Sequence, residues 1–291
     1  MDEKTKRITS ALTLSILTGL MLALVKLATG LLTHSMAIAA SALDSVMDVA
    51  VSSVNLFAAR EAAKPPDEEH AYGHGKIESL AGLFQSIFIG LSGLYIIIES
   101  LKRLFLGSYV NQLHVGLGVM TFSAVASWLL VLRLQYVARH NHSLILTTEG
   151  LHFTTDMMTN GGVILALALV DITHFIFWDL VVSIVIAVYI FRTSFGILRR
   201  SIDELLDRGL SPVSKEEIEH LIRSYHPSIV GLHNFRSRSV GEQIFLDFHI
   251  EIRGEENFRR AHDMTESLIH QIQERYPGAD ITVHFDPEGA M

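Results

Sequence analysis

The chain is 291 residues long and contains no cysteine. That absence removes thiolate-ligated zinc, iron–sulfur clusters, thiol catalysis and the disulfide-stapled secreted domains. Basic charge is also scarce: 23 Lys and Arg stand against 31 Asp and Glu, for a formal net charge of −8. A chain of that sign has no reserve for holding phosphates, so nucleic acid is excluded as the main partner. There is no low-complexity segment and no short-period repeat. What is present is apolar. Hydrophobic residues make up 49% of the chain, too many for a disordered polypeptide, and they gather in the first 208 positions instead of spreading through one soluble core. Residues 209 to 291 carry 14 Asp and Glu against 8 Lys and Arg. With thiols gone, soft-metal chemistry must use carboxylates and imidazoles, and histidine is abundant at 15.

A helix needs about 20 apolar residues to cross the hydrocarbon core of a bilayer. Six stretches qualify, near 8 to 32, 35 to 59, 79 to 98, 113 to 132, 144 to 170 and 175 to 198. The first is too long, and too far from a small-residue cleavage site, to be a removable signal peptide. Orientation follows from the connections, because cytoplasmic loops collect Lys and Arg. One side holds Lys4, Lys6, Arg7, Arg60, Lys64, Lys76, Arg133, Arg139, Arg199 and Arg200, and the other only Lys102 and Arg103. The expectation is a multi-pass membrane protein with both termini cytoplasmic. The tight turns near 32 to 34 and 171 to 173 then fall on the outer side.

The pattern changes after Arg208, which divides the chain into a membrane domain, 1 to 208, and a soluble domain, 209 to 291. Pro212, Ser214, Glu216 and Glu217 read as a helix start, and Pro227 as its stop. Strand-like runs follow at 230 to 240 and 243 to 253, joined near Gly241. An amphipathic helix at 257 to 276, closed by Pro277 and Gly278, leads to a last strand at 279 to 286. The order α-β-β-α-β predicts a small α+β domain. Alternation puts Ile244, Leu246, Phe248, Ile250 and Ile252 on one face of the second strand, and Asp247, His249 and Glu251 on the other. In the last strand Ile281, Val283 and Phe285 oppose Thr282, His284 and Asp286.

Within the membrane part, the second span contains Asp44 and Asp48, and the fifth contains His152 and Asp156. Each pair is spaced i, i+4, so its members share a helical face. The two spans run in opposite directions, which brings both pairs near the middle of the bilayer. Ionisable groups at that depth are costly and mark ion paths or buried partners. Interhelical hydrogen bonding alone is the plainer reading for a single aspartate, but three carboxylates need a cation. Three oxygens and one imidazole suit zinc, with cadmium or ferrous iron as alternatives, whereas magnesium, calcium and manganese favour all-oxygen sites. Without metal the carboxylates repel one another and one or more should hold a proton. Asn160, one turn beyond Asp156, reads as a packing or hydrogen-bonding residue.

The connection between the second and third spans contains Asp67, His70 and His74. In a helical segment these fall one turn apart and make an open three-ligand site, against the alternative of a solvated polar loop.

Asp44-x-x-x-Asp48, the run Tyr72-Gly73-His74-Gly75-Lys76, and His152-x-x-x-Asp156, in that order and placement, resemble the cation diffusion facilitator family. The match looks closest to its bacterial zinc and ferrous-iron efflux branch and spans the whole chain. The resemblance implies a transport site at Asp44, Asp48, His152 and Asp156, and a loop site at Asp67, His70 and His74. It implies that the soluble domain is metallochaperone-like, dimerises, and binds two metals at the subunit interface. The matching positions there are His233, His249, His262, His284 and Asp286, and Phe285 stands where relatives carry a polar residue. A salt bridge between Lys76 and Asp207 at the dimer is also implied. His34, His114, His140, His142 and His174 lie near span ends, His220, His226 and His270 match no motif, and none is assigned a role.

The expectation is a homodimeric, non-enzymatic exporter that exchanges Zn2+ for protons by alternating access, with cytosolic metal acting on the soluble domain. Fe2+, Cd2+ or Mn2+ could replace zinc on the same fold, and a metal sensor without flux is the remaining alternative. An intramembrane metalloenzyme is not expected, because no His-Glu-x-x-His motif and no spare acid beside the four ligands is evident.

Overall fold

In the computed structural model the described residues are 3–33, 36–106, 113–173, 177–240, 243–254 and 257–289. Contacts divide the chain into two compact units, 1–202 and 203–291. The expected turn at Gly241, His34 and His174 lie outside the described residues.

Among the described residues the first unit contains six helices: α1 (Glu3–Thr33), α2 (Met36–Ala62), α3 (Lys76–Leu106), α4 (Leu113–Asn141), α5 (Leu144–Thr173) and α6 (Trp178–Leu205). They outrun the apolar stretches because polar ends continue the helix past the hydrocarbon. At 1.5 Å per residue a helix of about 30 residues is about 45 Å long, well beyond a core of about 30 Å. Among the described residues α1, α2, α3, α4 and α6 are apolar and long enough to cross a bilayer. α5 has the length, at 30 residues, but carries Glu149, His152 and Asp156 in its first half. The chain is a multi-pass membrane protein.

Two apolar clusters hold this unit, and α5 contributes to both. Leu12 of α1, Ala58 of α2, Leu134 of α4, and Ile145, Leu146 and Phe153 of α5 form the first. Ile89 of α3, Leu144 and Leu151 of α5, and Ile186 and Ile190 of α6 form the second. Large side chains such as Leu24, Leu31, Phe57, Phe84 and Phe195 point outward. An apolar exterior around a centre that holds the charged residues inverts the pattern of a soluble globule and suits lipid as the solvent.

The second unit follows the order expected: α7 (Pro212–Tyr225), β1 (Ile229–Val240), β2 (Gln243–Ile252), α8 (Phe258–Arg275) and β3 (Asp280–Pro287). Ser211 caps α7 by accepting from Ser214 N, with Pro212 opening the helix. Asn257 caps α8 by accepting from Arg260 N. The strands form one sheet in the order β1-β2-β3, antiparallel between β1 and β2 and parallel between β2 and β3. α8 is the crossover that the parallel pair requires. Leu246, Phe248, Ile250 and Ile252 are buried against Ile218 and Ile222 of α7 and Leu268 and Ile272 of α8. The opposite face of the sheet stays polar.

Candidate metal centres

α5 is placed by its first turn. Glu78 at the start of α3 accepts hydrogen bonds from Ser143 Oγ at 2.6 Å and Ile145 N at 3.0 Å, satisfying donors that a helix start leaves open. Two turns further, α5 presents His152 and Asp156 to α2. His152 Nε2 lies 3.0 Å from Asp48 Oδ1 and 3.9 Å from Asp156 Oδ2. Ligands about 2.1 Å from a tetrahedral metal are about 3.4 Å apart, so these separations bracket what zinc would need. Asp48, His152 and Asp156 thus converge, with donor atoms within 4.8 Å of one another. Asp44, one turn away on α2, is exposed and outside this trio. Its charge still acts on Asp48 and Asp156. Asn160 donates to the backbone oxygen of Asp156 at 2.8 Å, a bond within its own helix.

The loop group forms without a helix. Residues 64–75 are turns and bends, so the one-turn spacing expected for Asp67, His70 and His74 is replaced by a different device. Asp67 Oδ1 accepts from Glu69 N at 3.1 Å and His70 N at 2.7 Å, a side chain standing in for a backbone turn. Gly73, at φ +76, then reverses the chain, with its N–H on His70 O at 2.9 Å. His70 Nδ1 ends 3.3 Å from Asp67 Oδ1, and His74 Nε2 3.5 Å from Asp67 Oδ2. The N–H of His70 holds the Asp67 carboxyl below the usual carboxylate range.

In the second unit the strand register does the assembling. His233 pairs with His249, and His249 with His284, so three histidines form one row across the sheet. Asp286, two residues along β3, reaches all three. Its Oδ2 is 3.2 Å from His233 Nε2 and 3.1 Å from His249 Nδ1, and its Oδ1 is 3.0 Å from His284 Nε2. Burial pushes the Asp286 carboxyl up, but the hydrogen bond to His249 and the neighbouring imidazoles outweigh it and hold it below the usual range. His233, His249 and Asp286 satisfy the donor spacing for a metal, while His284 is exposed at the edge. His262 lies on the exposed side of α8, outside the group. Phe285 points to the core and packs on Phe258 with ring centres 5.7 Å apart.

Two family models cover this architecture: a cation efflux transmembrane domain over residues 12–206 and a cation efflux protein cytoplasmic domain over 210–288. The chain belongs to the cation efflux family. Cation-efflux pumps named FieF, from Yersinia pestis (strain Pestoides F) and Yersinia pseudotuberculosis serotype O:3 (strain YPIII), are 33% identical over 255 residues. The match covers 88% of this chain and 84% of each pump. Two solved chains of CzrB, a protein studied as a zinc transporter, are 29% and 30% identical. They cover 28% and 29% of this chain, and 100% and 97% of their own, with TM-scores of 0.27 and 0.26.

Three charged residues of this cation efflux protein were not legible as site residues. Glu149, one turn before His152, is fully buried, which corrects the expectation of no spare acid beside the four proposed ligands. It is already engaged: Ser52 Oγ donates to it at 2.5 Å, Asn55 Nδ2 at 2.5 Å and Gln85 Nε2 at 3.4 Å. Its neutral partners sit on α2 and α3, far away in sequence, so spacing gave no sign of them. Lys26, on α1, is 7% exposed and donates to Ser45 Oγ at 2.8 Å. An i, i+4 search misses a lone lysine. Glu251 sits 3.4 Å from His233 Nδ1. It packs over Gly231, where a Cβ would fall 2.7 Å from the Glu251 carboxyl carbon. The alternating pattern placed Glu251 on the correct face without marking it. Asp207 accepts from Arg238 Nη1 at 3.2 Å within the second unit.

Proposed function

We propose that this chain exports a divalent metal cation, zinc first, from the cytosol in exchange for protons by alternating access. The convergence of Asp48, His152 and Asp156 from two helices of a membrane domain carries this reading. Two carboxylates and one imidazole neutralise a divalent ion, and the nitrogen favours zinc, cadmium or ferrous iron over calcium or manganese. When the metal leaves, the same groups can take protons, which ties cation exit to proton entry. Asp44 completes the quartet when the helices rearrange. The name of the Yersinia relatives, cation-efflux pump, supports export, and the Lys and Arg distribution supports cytoplasmic termini in the inner membrane.

The second unit acts as a cytosolic metal reader in a homodimer. His233, His249, His284 and Asp286, with His262, hold metal there, and binding shifts the equilibrium of the membrane unit. Asp67, His70 and His74 form a further site in the loop. Lys76 and Asp207 link the subunits by charge. Exchanging the two should restore flux lost in either single mutant, and continued loss would remove the pair from the scheme.

The test is flux into proteoliposomes containing the full chain, comparing zinc, ferrous iron, cadmium and manganese with internal pH followed at the same time. Zinc movement with an opposed proton movement is expected. Zinc movement with no proton counter-movement would overturn the exchange, and faster ferrous iron would change the cargo.

A further inference from the structure

Lys26 places a charge where lipid and packed side chains leave little water. The side chain leaves the C-terminal half of α1 and ends on α2, where its ammonium donates to Ser45 Oγ at 2.8 Å and Ser41 O at 3.5 Å. Those acceptors flank Asp44, and Ser45 lies one turn from Asp48. The approach is fixed by close helix packing. A Cβ on Gly19 would meet Val49 Cγ2 at 2.9 Å, so α1 can lie this near α2 only with a glycine at that point. Lys26 therefore has a set position beside the site.

Neutral hydroxyl and carbonyl acceptors do not offset a buried ammonium. The offset comes from carboxylates, and the Lys26 charge acts on both Asp44 and Asp156. Asp44 and Asp156 thus face one cation that belongs to the protein before any metal arrives. A divalent ion entering the trio must approach that fixed charge, and the poorly solvated interior does little to screen the repulsion.

We propose that Lys26 is a built-in counter-cation of the membrane metal site: it balances part of the carboxylate charge when the site is empty and weakens metal binding enough for the ion to leave. This rests on the reading of Asp48, His152 and Asp156 as a cation site. It assigns Lys26 to the release of cargo and not to its capture. An exporter whose site held zinc with all three carboxylates unopposed would bind well and turn over slowly.

The experiment is calorimetric titration of zinc into the full chain in detergent micelles, with the loop and cytoplasmic groups disabled by Asp67→Ala, His233→Ala and Asp286→Ala. Lys26→Gln keeps a donor for Ser45 but removes the charge, and Lys26→Met is a second neutral variant with an apolar stem. Either should bind zinc roughly tenfold or more tightly, given the size of a charge–charge term at low effective dielectric. Lys26→Arg, which keeps the charge, should stay within about threefold of the parent on the same argument. Unchanged or weaker binding in a folded neutral variant overturns the proposal and makes Lys26 a brace between α1 and α2. Asp48→Ala in the same background separates the two readings. An isotherm unaffected by Asp48→Ala overturns the membrane site itself. Binding lost in Asp48→Ala, with no tightening in either neutral variant, overturns the role of Lys26 alone.

Discussion

Asp48 is the α2 carboxylate that lies within the donor trio, with Asp44 outside it in this structure. Asp48→Ala should reduce zinc flux to background in proteoliposomes while zinc binding by the second unit, read by calorimetry, stays as in the parent. A sensor without transport would keep its output in that variant. Glu149 makes a different demand. Removing its carboxylate leaves Ser52 Oγ, one Asn55 N–H and one Gln85 N–H short of an acceptor, at about 1–3 kcal/mol each, although Asn55 Nδ2 keeps its 3.0 Å bond to Gln85 Oε1. Glu149→Ala should lower the thermal midpoint of the detergent-solubilised protein by several degrees, and Glu149→Gln, which keeps an acceptor oxygen, should recover most of that loss. Single charges such as Glu149 and Lys26 escaped the sequence pattern for a physical reason. Their partners are neutral side chains on other helices, and nothing in the spacing along one helix records them.

Whole elements were far more legible than single residues. The alternation in β2 and β3 separated core from polar face correctly, because a strand buried on one side must repeat every second residue. Caps and prolines marked α7 and α8 closely. The loop between α2 and α3 differed, since Asp67 supplies a turn that competes with helix for the same backbone donors. α7 and α8 are also fastened to each other. Glu217 accepts from Arg275 Nη2 at 2.9 Å and from Tyr276 OH at 3.3 Å. Burial and the charge of Glu217 push the Tyr276 phenol above its ordinary value. A raised folded-state value means that its contribution is fully present below about pH 10 and is lost as pH climbs through the folded value. Urea unfolding of the protein at pH 8 and pH 11 should therefore show a loss of second-unit stability that is smaller in Tyr276→Phe.

For the whole molecule, the fold class followed from composition: a helical membrane part, with five described helices apolar and long enough to cross a bilayer, followed by a small α+β part. The assembly of three separate donor groups is harder to read, because it depends on how α2 meets α5 and on the strand register. The two units also give separable readouts. Saturating zinc should raise the unfolding transition of the second unit, by about 2.7 kcal/mol at a hundredfold excess over Kd. EDTA should reverse that shift. Asp48→Ala should leave it unchanged, and His249→Ala should abolish it.

The row of histidines across the sheet has a consequence for how the protein matures. β1 and β3 never exchange backbone hydrogen bonds, since β2 lies between them. His233 and Asp286 nevertheless face one another at 3.2 Å. β3 reaches its place only after α8 has crossed back over the sheet, so the donor set is incomplete until the last strand has docked. On the proposed reading, a tail without its last strand lacks the Asp286 carboxylate that faces all three histidines, and should bind metal poorly.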